Sequence, residues 1–130
     1  MIASKHFYPH ESDKRIMMIK DRLEINNWTN ELEFLNKEID FYLDIEDHMI
    51  QSAKLYQELN GMRRENALML ASLYRYDNTI NKAIECDTVE CDAYYLNHHE
   101  KKRDAYLALV QNYRNLKLKI LSQILLNAKS

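Results

Sequence analysis

The apolar residues of this chain recur at helical spacing over most of its length. From Trp28 onward, Trp28, Leu32, Leu35, Ile39, Tyr42, Glu46, Met49, Ala53 and Tyr56 step alternately by four and three, the repeat that keeps one side of a helix turned toward a neighbour. A second row, Phe34, Phe41, Ile45, His48, Leu55 and Leu59, reads as running beside the first. Two adjoining rows are too wide for the seam of a two-stranded coiled coil, so this helix is expected to pack against at least two others. Upstream, Glu11, Ser12 and Asp13 open a helical segment with Ile16, Ile19 and Leu23 at helical spacing and Met17 and Met18 alongside. That set is out of phase with the row from Trp28, which predicts a kink, a stutter or a new helix near Asn27. Residues 1–10, containing Pro9, read as an irregular lead-in.

Asn60 and Gly61 form the clearest stop signal, because glycine accepts the left-handed backbone of a helix C-cap. The next helix is predicted from about Arg63 to Ile84, with Met62, Met69, Leu73, Tyr76, Ile80 and Ala83 on one face and Leu70 and Ile84 beside it. Residues 85–92 read as a turn and a restart, with Asp87 and Glu90 at capping-box spacing. A last helix is predicted from near Asp92 to Asn127. Tyr95, His99, Tyr106, Leu109, Tyr113, Leu116 and Ile120 form its inner face, widened by Val110, Leu121, Ile124 and Leu125. Short connections force neighbouring helices to run in opposite directions. The predicted fold is therefore all-α: an elongated antiparallel bundle of three long helices with a short N-terminal helical segment and coiled-coil-like packing, in one domain spanning 1–130.

Composition supports this reading. The chain of 130 residues has one Gly and one Pro, where average usage puts roughly a dozen or more of the two together. Sheet folds need frequent turns, and glycine-rich phosphate loops need glycines, so both are excluded. Net charge is −2, which gives no overall attraction to nucleic acid or anionic membrane. Its distribution is uneven: residues 1–60 carry 7 Lys/Arg against 12 Asp/Glu, and residues 93–130 carry 7 against 2. The acidic front and basic end have complementary fields, which favours packing them together within a chain or between chains. The opening MIASKHFYPHESDKR lacks the apolar run of a signal peptide, and no window approaches a membrane span. A cytoplasmic location without membrane contact is expected, with Cys86 and Cys91 as thiols.

Candidate chemistry is sparse. His48, Glu46 and His99 are the candidate metal ligands, on the pattern of bundles that turn carboxylates and histidines inward, although the paired Glu-x-x-His repeat of such bundles is missing. With the turn at Gly61, His99 falls near the level of Tyr42, about 9 Å along the axis from His48. Cys86 and Cys91 are spaced C-x4-C, unlike the C-x2-C pairs of structural zinc sites. Lys101, Lys102 and Arg103, with Tyr94, Tyr95 and Tyr106 nearby, make a basic cluster too isolated to predict nucleic-acid binding. No nucleophile–base pair can be argued from spacing, so neither an enzyme nor a cofactor is expected. Most of the nine tyrosines fall on or beside apolar rows, where they can bury a ring and keep the hydroxyl at an edge.

The stretches NWTNELEFLNKE (Asn27 to Glu38) and HEKKRDAYLALVQNYRNLKLKIL (His99 to Leu121) resemble a group of short helical proteins of Bacteroidetes-type bacteria. Those chains share a Trp followed by an E-L-x-F helix, a middle helix, and a last helix opening with a His and basic-acidic pairs. The resemblance implies the three-helix order and no activity, and the C-terminus departs from the aromatic-rich ending of that group. The expected function is a non-enzymatic interaction or scaffolding module that self-associates or docks a partner helix. Trp28, Phe34, Phe41, Tyr113, Ile120 and Ile124 are its candidate contact residues, and a metal- or small-ligand-binding bundle is the alternative.

Overall fold

The computed structural model describes residues 9–85 and 89–129 and, within them, the side chains of 15–80, 82 and 97–129. The expected capping residues Asp87 and Glu90 and the thiols of Cys86 and Cys91 lie outside the described side chains. Apart from Gln51 and Ser52, every described residue is helical. Helix α1 runs Pro9–Ile45 and passes into a π-helical turn, Glu46–Ile50; α2 runs Ala53–Glu85 and α3 Val89–Lys129.

The expected interruption near Asn27 is absent, and α1 is continuous through it. The inward row extends backward from Trp28 through Ile25 and the half-buried Asp21 to Met18, keeping the same alternation. Asp21, a charged residue, occupies one of its steps. Following apolar residues alone therefore leaves the row at that point for Ile16, Ile19 and Leu23, which lie on the exposed side. Two rows on two faces of one helix thus mimic a phase break. Phe34 and Phe41 need a related correction. Each follows a buried residue, Leu32 or Ile39, by two positions, which is about 200° around the helix. Both rings accordingly point outward, 59% and 68% exposed.

The chain reverses at residues 46–52, and Gly61 sits inside α2. Four interactions close the turn. Gln51 takes the left-handed backbone (φ 55°, ψ 57°) that ends a helix, and its amide donates to the Glu46 carbonyl at 2.6 Å. The Glu46 carboxylate accepts from the Ser52 amide at 3.0 Å. The Ser52 hydroxyl accepts from the Leu55 amide at 3.2 Å, the contact of an N-cap serine. Asn127, from the far end of α3, donates to the Met49 carbonyl at 2.9 Å. Met49, Ala53 and Tyr56 therefore do not continue the buried row of α1, and all three are exposed.

Facing residues give the order of the helices. Arg22 bonds Asp77, Asn66 bonds the Leu32 carbonyl and Arg63 pairs with Asp40 across α1 and α2. Glu24 meets His99 and Arg103, and Glu38 meets Tyr113 and Lys117, across α1 and α3. Tyr76 reaches His99 and Glu58 reaches Lys119 across α2 and α3. One apolar cluster joins the three helices, with Leu32, Ile39, Leu59, Leu73, Ile80 and Ile120 wholly buried. At about 1.5 Å per residue α3, the longest helix among the described residues, extends ~60 Å. Among the described residues no helix is long and apolar enough to cross a membrane.

Candidate functional site

The inward rows are apolar except at a few steps, and several polar side chains converge at the level of His99. Asp21 and Glu24 stand one turn apart on α1, Tyr76 lies on α2, and His99 and Arg103 lie on α3. His99 is 3% exposed. Its Nε2 lies 2.7 Å from Glu24 Oε1 and 3.3 Å from Asp21 Oδ1. Carboxylates only accept, so Nε2 carries the shared proton in this arrangement. On the other side of the ring, Tyr76 Oη lies 2.9 Å from Nδ1. Trp28 stacks on the imidazole, with centroids 5.5 Å apart and planes inclined by 26°, and Tyr106 stacks on the indole at 5.1 Å. The ring is thus fixed in position and in plane.

Arg103 closes the cluster. Its Nη2 donates to Glu24 Oε1 at 2.8 Å, its Nε donates to Oε2 at 3.2 Å, and Nη1 reaches Glu100. Hydrogen bonds from the Arg103 guanidinium hold the Glu24 carboxyl below its ordinary range against the opposing effect of burial, with His99 adding to the lowering. Asp21, Glu24 and His99 are the His/Cys/Asp/Glu group that could hold a metal ion among the described residues, each offering an atom within 4.8 Å of the others.

The expected ligand set of His48, Glu46 and His99 does not come together. Glu46 is buried in the turn, where it holds the Ser52 amide. His48 is exposed, with its Nδ1 donating to the Asp44 carbonyl at 2.9 Å. That bond and the nearby Asp47 raise its pKa. His99 faces Glu24, some 24 residues or ~36 Å along α1 from His48. The cause is the position of the turn, since moving it from 61 to 51 shifts every level across the helices. The basic cluster is also largely committed to internal contacts: Lys102 donates to Ser72 Oγ at 2.6 Å and Arg103 is held by Glu24 and Glu100, while Lys101 is exposed.

The expected contact residues divide between inside and outside. Trp28, Tyr113 and Ile120 are buried in this chain's own core, and Ile124 is half-buried against it. Phe34 and Phe41 face outward. On α3, Leu107, Leu118, Leu121 and Leu125 are also exposed, Leu118 by 64%. With Gln111 and Arg114 between them, the positions 107, 111, 114, 118, 121 and 125 step by four and three without interruption. Leu121 and Leu125 were expected to widen the inner face; they belong to this second row on the opposite side. Its spacing was legible in the sequence but was absorbed into the inner row. Arg114 stands within the α3 row and Lys117 and Lys119 flank it, whereas Glu31, Glu33, Asp40 and Asp44, with the exposed Lys37 between the two rings, surround the outward phenylalanines of α1.

Asn66 also escaped the sequence reading. It is wholly buried at a step of the α2 row, where its Nδ2 donates to the Leu32 carbonyl at 2.9 Å. A buried polar residue in such a row fixes the register between helices. Comparison of the chain with protein-family models, curated proteins and solved structures finds no match in any of the three.

Proposed function

We propose that the chain is a non-enzymatic, cytoplasmic interaction module: an elongated antiparallel bundle of three helices with coiled-coil-like packing that pairs with a second copy of itself. The observation that carries this reading is the outward row of α3, in which leucines recur at heptad spacing on a face the chain's own core does not use. Exposed leucines scattered singly need no explanation, but a straight, regularly spaced row is the pattern of a helix seam.

The occupant follows from charge. The apolar row of α3 has cations in and beside it, and the outward phenylalanines of α1 have four anions about them against the single cation Lys37, so one chain carries both halves of a complementary pair. A two-fold dimer lays α1 of each copy against α3 of the other and uses each face once. Static light scattering is expected to give twice the chain mass of 15.6 kDa. Leu118→Glu with Leu121→Glu should return it to one chain mass without loss of helix. A single-chain mass for the native protein at the highest concentration attainable, or an undiminished dimer in the double variant, refutes the reading.

A further inference from the structure

We propose that Asp21, Glu24 and His99 form a binding site for a transition-metal dication of the zinc type. The donor set suits such an ion: one imidazole nitrogen and two carboxylates leave a fourth position for water. The spacing suits it too. Ligands about 2.0–2.1 Å from a tetrahedral ion stand ~3.3 Å apart, and His99 Nε2 lies 3.3 Å from Asp21 Oδ1 and 2.7 Å from Glu24 Oε1. Seating the ion requires the Glu24 oxygen to draw back by about half an ångström from where the shared proton now holds it.

The surrounding groups are those a metal-bound histidine requires. The ion takes the place of the proton on Nε2; the single proton of the neutral ring moves to Nδ1, from which it is donated to Tyr76 Oη at 2.9 Å as the tyrosine hydroxyl turns to accept it. A hydrogen bond at the far ring nitrogen orients a ligand histidine and raises its basicity. Trp28 fixes the plane of the ring. Arg103 does not block the site, because it uses one lone pair on each Glu24 oxygen and each oxygen has two. The helices supply the remaining order. Asp21 and Glu24 share a face because they are three apart on α1, and His99 is placed against them by the apolar rows above and below. This inference does not depend on self-association, since the ligands all come from one chain.

Trp28, the only tryptophan of the chain, reports on the site directly. Untagged full-length protein, stripped with chelator, is titrated with zinc chloride in a calorimeter and with cobalt chloride under fluorescence. The expected result is one ion per chain, with cobalt quenching Trp28 and zinc reversing the quench by competition. Asp21→Asn and Glu24→Gln, each checked for retained helix by circular dichroism, should each weaken binding at least tenfold, and His99→Gln should abolish it. Failure of either ion to bind the native protein at tens of micromolar overturns the proposal. Binding that leaves Trp28 unquenched, or that is unchanged in both carboxylate variants, places the ion elsewhere and overturns it equally.

Discussion

Replacing Gly61 with alanine tests where the chain turns, because the two possible roles of that glycine predict opposite signs. In the structure Gly61 lies within α2, its φ is not positive, and a Cβ built on it meets nothing within 4 Å. Alanine then adds a methyl group in open space and removes backbone freedom from the unfolded chain, so Gly61→Ala should stabilise the fold by about 0.5–1 kcal/mol. For a chain of this size that corresponds to a rise of ~2–4 °C in Tm. Were Gly61 a left-handed C-cap, the same change would cost roughly 1–2 kcal/mol of backbone strain. Urea unfolding at one fixed protein concentration, followed at the helical circular dichroism band, distinguishes the cases, and fixing the concentration removes any contribution from association. The reciprocal substitution sharpens the test. Among the described residues Gln51 is the one with positive φ, so Gln51→Gly relieves strain there and should be neutral or stabilising by up to ~1 kcal/mol after glycine's own entropy cost. A lower midpoint for Gly61→Ala would refute the placement of the reversal at 46–52.

Three further outcomes follow from the geometry. Ser52→Ala removes the hydroxyl that caps α2 and should lower stability by about 1 kcal/mol in urea unfolding; no change would mean that the cap is not formed. Glu24 has a depressed carboxyl pKa, with the Arg103 hydrogen bond as its first cause, so its stabilisation is present above the ordinary carboxyl value of 4.5 and is lost as pH falls below it. Urea midpoints at pH 6 and pH 3.5 should therefore differ less in Glu24→Gln than in the native chain, and equal differences would count against the pairing. Burial, followed by the Glu38 carboxylate, pushes the Tyr113 hydroxyl well above its ordinary 10.0. The stability it contributes is present below pH 10.0 and is lost as pH rises beyond that value. Tyr113→Phe should flatten the alkaline decline in thermal stability, and an unaltered decline would place the tyrosine in solvent.

The regular spacing of large apolar residues was enough to specify three long helices and most of their inner faces. A buried row along a helix needs a fixed repeat, and Leu32, Ile39, Leu73, Tyr76, Leu109 and Ile120 display it in the linear chain. The scarcity of glycine and proline excluded the alternatives for the same local reason. What periodicity could not assign was the role of a residue that breaks the pattern. Asp21, Asn66 and His99 hold steps of these rows because a partner on another helix meets each of them, Asn66 through its Nδ2 alone, and that partner is 23 to 78 positions away. Nor could it separate one wide face from two opposite ones, which is how Phe34, Phe41, Leu121 and Leu125 were placed on the inside. The turn was missed because its signal was distributed. Glycine is the familiar left-handed residue, yet here glutamine takes that conformation, with Glu46, Ser52 and Asn127 closing the turn around it. Register depends on the turn, and so do the levels at which side chains meet. The sequence by itself determined the helices and their apolar rows, which are local properties of the chain. Only the tertiary structure decided that the acids of α1 face His99 and that His48 stands apart, because these depend on where two distant segments come level.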